Sequence, residues 1–336
     1  MLEYLASNKL EFIFKGGTAL ILLLDNANRF SIDIDISTER SKEELESILD
    51  KIIEFPIFAN YKLDARRSYK GKLQKAHYKF YYDSQFSTSN KNVLANYVLL
   101  DIVFEKAVYP EFNELEIKTK WLDTIEPYTK ITVPSINSIL GDKLTAFAPN
   151  TTGVQYNKNK ELEIIKQLFD VSALIDVASN IEIVKDSFSL NVEKEIEYRS
   201  IDVVGHDVLD DIFLTALLIA KREKNIDTDK LKFTEIQRGI RNLFNYIIFS
   251  HFRIDEAIKA SAKSAWFAMK LKNANYLPIE IYNPEIDVAL LQIENKACQF
   301  LNKLKKANKA AFYYWLNVWK KLANYTKRIK SLLILV

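Results

Sequence analysis

The sequence contains few of the residues that break helices or cross-link small folds. Of its 336 residues, seven are Gly, seven are Pro, three are His and one is Cys. A single cysteine excludes an internal disulfide, and the neighbours of Cys298 predict a thiol packed in a helix. His77, His206 and His251 are scattered without metal-ligand spacing, which argues against a zinc site. The scarcity of Gly and Pro indicates a helix-rich chain with few long loops.

Long apolar runs and a targeting signal are also missing. The longest uncharged apolar stretches, such as Thr18–Leu24 and Val93–Leu100, are far shorter than the roughly 20 residues that span a bilayer. The first residues show no basic segment followed by an apolar one, as a secretory signal would. We therefore expect a cytoplasmic protein with no membrane partner, and its length predicts two domains.

Charge is distributed unevenly along the chain. Residues 1–180 carry 22 Lys/Arg and 25 Asp/Glu, whereas residues 181–336 carry 25 Lys/Arg and 19 Asp/Glu. The stretch 295–336 contains ten Lys/Arg and no acid, and the stretch 62–79 contains seven Lys/Arg and one acid. A basic second half predicts a polyanionic partner.

Hydrophobic periodicity predicts an α+β first half with a mixed sheet flanked by helices, and an all-α second half. The change in pattern near residues 180–200 places the domain boundary between 185 and 186, giving domains 1–185 and 186–336. Ser41 with Glu44 has the spacing of a capping box, and Thr18 is expected to cap the helix that follows the glycine pair. The predicted strands are 11–14, 31–37, 61–67, 75–82 and 96–105; the predicted helices are 18–24, 41–53, 135–147, 161–178, 208–222, 233–249, 253–272 and 286–319.

Asp33 and Asp35 form the first candidate site. Residues two apart in a strand project from one face, so both carboxylates point to one spot while Ile32, Ile34 and Ile36 pack beneath. Two carboxylates about 4 Å apart repel by roughly 4 kcal/mol at an effective dielectric near 20. A divalent cation such as Mg²⁺ removes that cost. The pair could equally form the solvated face of an edge strand.

Asp101 and a glycine pair supply two further signals. Asp101 lies inside the otherwise apolar segment 96–105, where an ionised carboxylate needs a cation or hydrogen-bond donors. Gly16 and Gly17 stand between a strand and a helix start, where backbone N–H groups can approach a phosphate. Taken alone, the glycine pair could be an ordinary tight turn.

Together these motifs resemble a known family. The segment Phe12-Ile-Phe-Lys-Gly-Gly-Thr-Ala-Leu20, followed by Arg29-Phe-Ser-Ile-Asp-Ile-Asp35, is similar to the first motif of the AbiEii/AbiGii toxin family. Those proteins are minimal nucleotidyltransferases of the polymerase-β superfamily. The resemblance extends to Gly141-Asp-Lys-Leu-Thr-Ala146 and to Lys166-Gln-Leu-Phe-Asp170. In the second segment, Gln167 stands at a position where an acidic residue is common in the family. The resemblance covers roughly residues 10–180.

The resemblance implies a polymerase-β-like nucleotidyltransferase domain that uses two Mg²⁺ ions and an NTP. It assigns the metal ligands to Asp33, Asp35 and Asp101, which with Lys143 are the expected catalytic residues. The expected nucleotide-binding residues are Lys15, Gly16, Gly17, Thr18, Arg29, Ser31, Lys143 and Asp170. Lys143 and Asp170 could each also be an ordinary surface residue of an amphipathic helix.

Family members act as toxins paired with an antitoxin, and some add nucleotides to tRNA ends. We therefore expect an antitoxin partner and a tRNA acceptor, in agreement with the basic second half. The aromatic residues of 312–319 are flanked by lysines at 305, 306, 309, 320 and 321. This composition suits RNA but is also typical of a helix packed in a core. Nucleotidylation of a protein or a small molecule, and a non-catalytic nucleotide-binding module, are the alternatives.

Overall fold

The computed structural model describes residues 1–24, 29–69, 72–83, 96–248 and 251–322. Contacts divide the chain into two units, Met1–Ser135 and Ile136–Val336. The sequence-based boundary at 185/186 falls inside a helix and stays a prediction about functional domains, because the two units are defined by contacts alone.

The first unit is built around one mixed sheet. Its strands are β1 (Ile13–Lys15), β2 (Ile34–Ser37), β3 (Asn60–Leu63), β4 (Lys75–Tyr82), β5 (Asn96–Val103), β6 (Phe112–Glu116) and β7 (Lys130–Pro134). Its helices are α1 (Leu2–Ser7), α2 (Gly16–Leu23) and α3 (Lys42–Ile52). Within the described residues, the strand order is β3-β4-β5-β2-β1-β7-β6, and β2 pairs in parallel with β5. The mixed sheet that was predicted from the sequence is confirmed.

One face of this sheet packs into the hydrophobic core. Phe14, Ile36, Ile102 and Ala76 stand side by side on β1, β2, β5 and β4, and each is at most 1% exposed. Side chains alternate along a strand, so the next residue on each strand belongs to the opposite face. Lys15, Asp35, Asp101 and His77 lie on that opposite face.

Several local predictions for the first unit are confirmed and others are wrong. Ser41 caps α3 in a capping box with Glu44, as its spacing predicted. Strand β2 begins only at Ile34, and Ile32 is 66% exposed rather than packed beneath the acids. Thr18 does not cap α2, because that helix begins at Gly16 and has Lys15 as its N-cap residue. Strands β6 and β7 were not predicted.

The second unit is helical. Its α-helices are α4 (Ile136–Ala146), α5 (Glu161–Val177), α6 (Ile181–Arg199), α7 (Gly205–Lys221), α8 (Asp227–Leu243), α9 (Ile254–Lys272), α10 (Leu304–Ala307) and α11 (Lys309–Leu322). Short 3-10 helices lie at Arg222–Lys224, Phe244–Tyr246 and Lys296–Lys303. The region of the predicted domain boundary, around 180–200, forms helix α6, which is capped by the Asn180 side chain. The helix predicted over 286–319 is divided into a loop, a 3-10 helix, α10 and α11.

Helix α9 forms the centre of this unit. It packs against α5, α7 and α11, and nearly every residue from Ala257 to Leu271 is buried. Its buried surface is mostly apolar but includes Lys263 and Lys270, so the helix depends on neighbours on most sides. In the described ranges, none of the helices combines the length and apolar character needed to cross a membrane.

Candidate active site

Four polar residues form one row across the sheet of the first unit. Lys15 stands opposite Asp35, Asp35 opposite Asp101, and Asp101 opposite His77. Cross-strand partners share a face, so these side chains lie on the face opposite the buried row. The register therefore brings Asp35 and Asp101 together on neighbouring strands, although 65 positions separate them in the sequence.

The glycine pair, Gly16 and Gly17, packs close to this row. Gly16 has a φ of +78°, a conformation that residues with a side chain rarely adopt. A Cβ atom at Gly16 would collide with the carboxylate of Asp35, and one at Gly17 would lie 2.5 Å from Arg29 Nη2 and 3.2 Å from Ser31 Oγ. Position 16 therefore requires glycine, whereas at position 17 the end of the Arg29 side chain can move to make room for a Cβ atom. The residues that carry the first sequence motif are in direct spatial contact.

Asp33 lies at the margin of the same site. It precedes β2 and is exposed, whereas Asp35 lies within the strand and is partly buried. The Thr18 hydroxyl donates a hydrogen bond to the Asp33 backbone carbonyl. This bond ties the first turn of α2 to the segment that carries the acidic pair.

Asp101 has two partners that sequence reasoning missed. Its Oδ1 atom lies 2.6 Å from His77 Nδ1, and its Oδ2 atom lies 3.8 Å from Arg67 Nη2. A carboxylate only accepts hydrogen bonds, so Nδ1 of His77 is the donor. The His77 backbone N–H donates to Ser68 Oγ at 3.0 Å. The excess of basic residues in 62–79 was visible in the sequence, but only the strand register identifies His77 as the neighbour of Asp101.

The carboxylates suit a divalent cation. Among the described residues, no three His, Cys, Asp or Glu side chains already stand as a metal-binding group. Asp35 and Asp101 nevertheless share one face in direct register, and Asp33 precedes Asp35 by two residues. Carboxylate oxygens are the ligands that Mg²⁺ prefers. The donor set therefore fits Mg²⁺, with Asp33, Asp35 and Asp101 as the residues that would hold it.

The second unit contains the other two sequence-predicted residues as a buried ion pair. Lys143 on α4 lies with its Nζ atom 3.0 Å from Asp170 Oδ2 on α5, and the two side chains are 8% and 2% exposed. The same ammonium donates to Gln167 Oε1 at 3.0 Å. Gln167, which departs from the family pattern, therefore supplies an acceptor oxygen to the lysine. The reading of Lys143 and Asp170 as surface residues is wrong.

The aromatic residues of the last described helix belong to the core. Phe312, Tyr314, Trp315 and Trp319 on α11 are each at most 8% exposed. Rings enclosed in this way cannot stack on nucleic-acid bases. Of the two readings of residues 312–319, core packing is therefore correct for these side chains.

Comparison with known proteins agrees with the first motif. A family model described as the nucleotidyl transferase AbiEii toxin of a Type IV toxin-antitoxin system matches residues 2–260. No curated protein matches the chain significantly. The matched segment contains the glycine pair, the three acids, Lys143 and Asp170, and spans well over half of the sequence. The chain belongs to the AbiEii family of nucleotidyltransferase toxins.

Proposed function

We propose that this toxin transfers a nucleoside monophosphate from an NTP to an acceptor hydroxyl, with the 3′ end of tRNA as the acceptor. The observation that supports the proposal best is the register of Asp35 and Asp101 beside Gly16. Two carboxylates held side by side, next to a glycine at a helix start, suit a site for Mg²⁺ and phosphate.

The metal ions are part of this proposal. Asp33, Asp35 and Asp101 would hold two Mg²⁺ ions, which when bound would neutralise the carboxylates and stabilise charge on the phosphates. Without a cation, the adjacent carboxylates repel each other by roughly 4 kcal/mol at a separation of about 4 Å and a dielectric near 20. The Lys15 side chain, opposite Asp35 in register, adds a positive charge to the row.

The nucleotide phosphates are proposed to bind at the start of α2. Backbone N–H groups in the first turn of a helix attract anions. Arg29 and Ser31, which pack against Gly17, would contribute a guanidinium group and a hydroxyl. The family resemblance also implies a phosphate-binding role for Lys143, whose ammonium group contacts Asp170 and Gln167 within the second unit.

The proposed reaction is an in-line substitution at the α-phosphorus. The acceptor oxygen forms a bond to this phosphorus, the bond to the bridging oxygen of the β-phosphate breaks, and pyrophosphate leaves. The proton of the acceptor hydroxyl passes to the Asp101 carboxylate, whose Oδ1 atom is hydrogen-bonded to His77. Placing the phosphate and the acceptor in this orientation provides much of the rate enhancement.

An RNA acceptor is supported by charge. Residues 181–336 carry six more Lys/Arg than Asp/Glu, and stretch 62–79 adds a second basic segment. Such a distribution attracts polyanions. We also propose a cognate antitoxin as the protein partner, in keeping with the family to which the chain belongs.

The reaction is tested with purified protein, tRNA and each α-phosphate-labelled NTP in turn. We expect labelled tRNA and released pyrophosphate with Mg²⁺, and neither product with EDTA. Asp35→Asn should abolish both products, whereas Asp123→Asn, an exposed acid between β6 and β7, should leave them unchanged. If the label appears on the protein itself, or on a small hydroxylated molecule added in place of tRNA, that molecule and not tRNA is the acceptor. If the protein neither transfers a nucleotide nor binds Mg²⁺ and NTP, the proposal that it is a nucleotidyltransferase enzyme is wrong.

A further inference from the structure

A basic and aromatic patch extends from Asp101 along the same face of the sheet. From Asp101 towards the start of β5, the face carries Lys79 opposite Leu99, then Tyr81 opposite Tyr97. Lys62 on β3 stands opposite Lys79. We call Lys62, Lys79, Tyr81 and Tyr97 the β3–β5 patch, and nothing in the family assignment accounts for it.

Each lysine of the patch lies over one of its rings. Lys79 Nζ is 4.9 Å from the centroid of the Tyr97 ring, and Lys62 Nζ is 5.9 Å from that of Tyr81. The two rings meet edge to face at 5.9 Å. Tyr97 is 42% exposed, so part of its surface is open to a ligand. Alternating cations and rings of this kind match the phosphates and bases of an unpaired strand.

The charges themselves favour an anionic ligand. Like charges directly opposite each other on neighbouring strands destabilise a sheet, and Lys62 and Lys79 are such a pair. Asp64 lies 3.7 Å from Lys79 and offsets part of this repulsion. A polyanion would relieve the remainder and release its counterions on binding.

We propose that the β3–β5 patch binds the unpaired end of a polynucleotide whose terminal hydroxyl lies at Asp101. This inference rests on the proposed function and adds the acceptor surface to it. Tyr97 lies four positions before Asp101 on β5, a span of about 13 Å at roughly 3.3 Å per residue. Phosphates of a stacked strand are about 3.4 Å apart along its axis, so the patch accommodates a few nucleotides. Stacking and phosphate contacts make this surface tolerant of sequence.

The test is fluorescence anisotropy with a short 5′-labelled single-stranded RNA and full-length protein. Tyr97→Ala should weaken binding roughly 5- to 100-fold, the effect of losing one stacked base. Lys79→Gln should weaken binding for all sequences. It should also reduce the slope of log Kd against the logarithm of salt concentration by about one, the effect of losing one phosphate contact. The matched controls are Tyr128→Ala and Lys118→Gln, which alter a similar lysine–ring pair at 4.4 Å beside β6 and β7. These controls should bind like the wild type.

The outcomes separate this inference from the proposed reaction. If Tyr97→Ala and Lys79→Gln bind RNA as the wild type does, the patch is not the acceptor surface, and transfer activity can still be present. If both lose binding while the wild type transfers no nucleotide to any acceptor, the reaction is wrong and the RNA surface stands. If the patch variants bind a blunt duplex more weakly but a single strand normally, the patch contacts paired nucleic acid and the inference is overturned.

Discussion

At the scale of single residues, the environment of Asp101 distinguishes this site from a bare carboxylate cluster. His77 holds Oδ1 at 2.6 Å, while Arg67 approaches Oδ2 only to 3.8 Å. The histidine is itself 12% exposed and is fixed by the strand on which it lies. The bond from His77 fixes the orientation of the Asp101 carboxylate, so we regard His77 as a positioning residue.

Removing this hydrogen bond should weaken the proposed metal site. We expect His77→Ala to lower kcat or the apparent Mg²⁺ affinity about 10- to 100-fold, as for other residues that orient metal ligands. His77→Asn, which keeps a side-chain donor, should recover part of the loss. Metal titrations followed by thermal shift would measure the affinity independently of turnover. His206→Ala, an exposed histidine at the start of α7, is the control. Unchanged affinity and kcat in His77→Ala would contradict the positioning role.

At the scale of elements, helix α9 carries a buried charged side chain within the second unit. The Lys263 side chain is 3% exposed, with Nζ 2.6 Å from Asp176 Oδ2 on α5 and 2.8 Å from the Ser172 carbonyl oxygen. Burial lowers the pKa of Lys263 below its ordinary value of 10.5, and Asp176 opposes this effect. Desolvation thus outweighs the attraction of the partner carboxylate, which is itself 46% exposed.

Replacing this lysine with an apolar residue should not destabilise the protein. Asp176 can be hydrated when left alone, so we expect Lys263→Met to keep or raise the free energy of unfolding, by up to about 4 kcal/mol. Because the folded pKa is lowered, the cost of burying the ammonium group falls as pH rises through that pKa towards 10.5. The advantage of Lys263→Met should therefore shrink with increasing pH in urea titrations. An advantage that grows with pH, or a clear loss of stability at neutral pH, would show that the ion pair stabilises the fold.

At the scale of the whole molecule, the chain divides into two compact units. The first contains the sheet with Asp35 and Asp101, and the second is helical with α9 at its centre. Three of the four tryptophans, Trp266, Trp315 and Trp319, lie in the second unit, as does Cys298. Probes of these residues therefore report on the helical unit.

Cys298 should react with thiol reagents only when the helical unit opens. It is fully buried, and burial raises the pKa of its thiol to about 12, with Lys221 opposing. Because the thiolate is the reactive form, we expect negligible labelling of the native protein near neutral pH. In denaturant, labelling should follow the same transition as tryptophan fluorescence, measured in a Trp121→Phe variant so that only the second unit contributes. Labelling at the rate of a free thiol in native buffer would contradict the packed position.

The local features of the sequence predicted a large part of this structure. The capping box at Ser41, the ends of β4 and the course of α5 follow from short-range patterns, which is why they agree closely with the structure. Strand β6 escaped prediction because it is mostly exposed and lacks a clear alternation of buried and exposed residues. Strand β7 does alternate, with Ile131 and Val133 buried on either side of Thr132, but it is only five residues long. The prediction over 286–319 was wrong because helical spacing also occurs in segments whose packing holds them as loops and 3-10 turns.

The sequence by itself determined the chemistry available: a glycine pair at a helix start, an Asp-x-Asp segment, and one acid inside an apolar strand, with the family following from their order. Only the tertiary structure decided which residues meet. Parallel pairing of β2 with β5 sets Asp35 beside Asp101, and antiparallel pairing with β4 brings His77 to the same carboxylate. Such contacts depend on strand register between distant segments, and a shift of one residue would move every side chain to the opposite face.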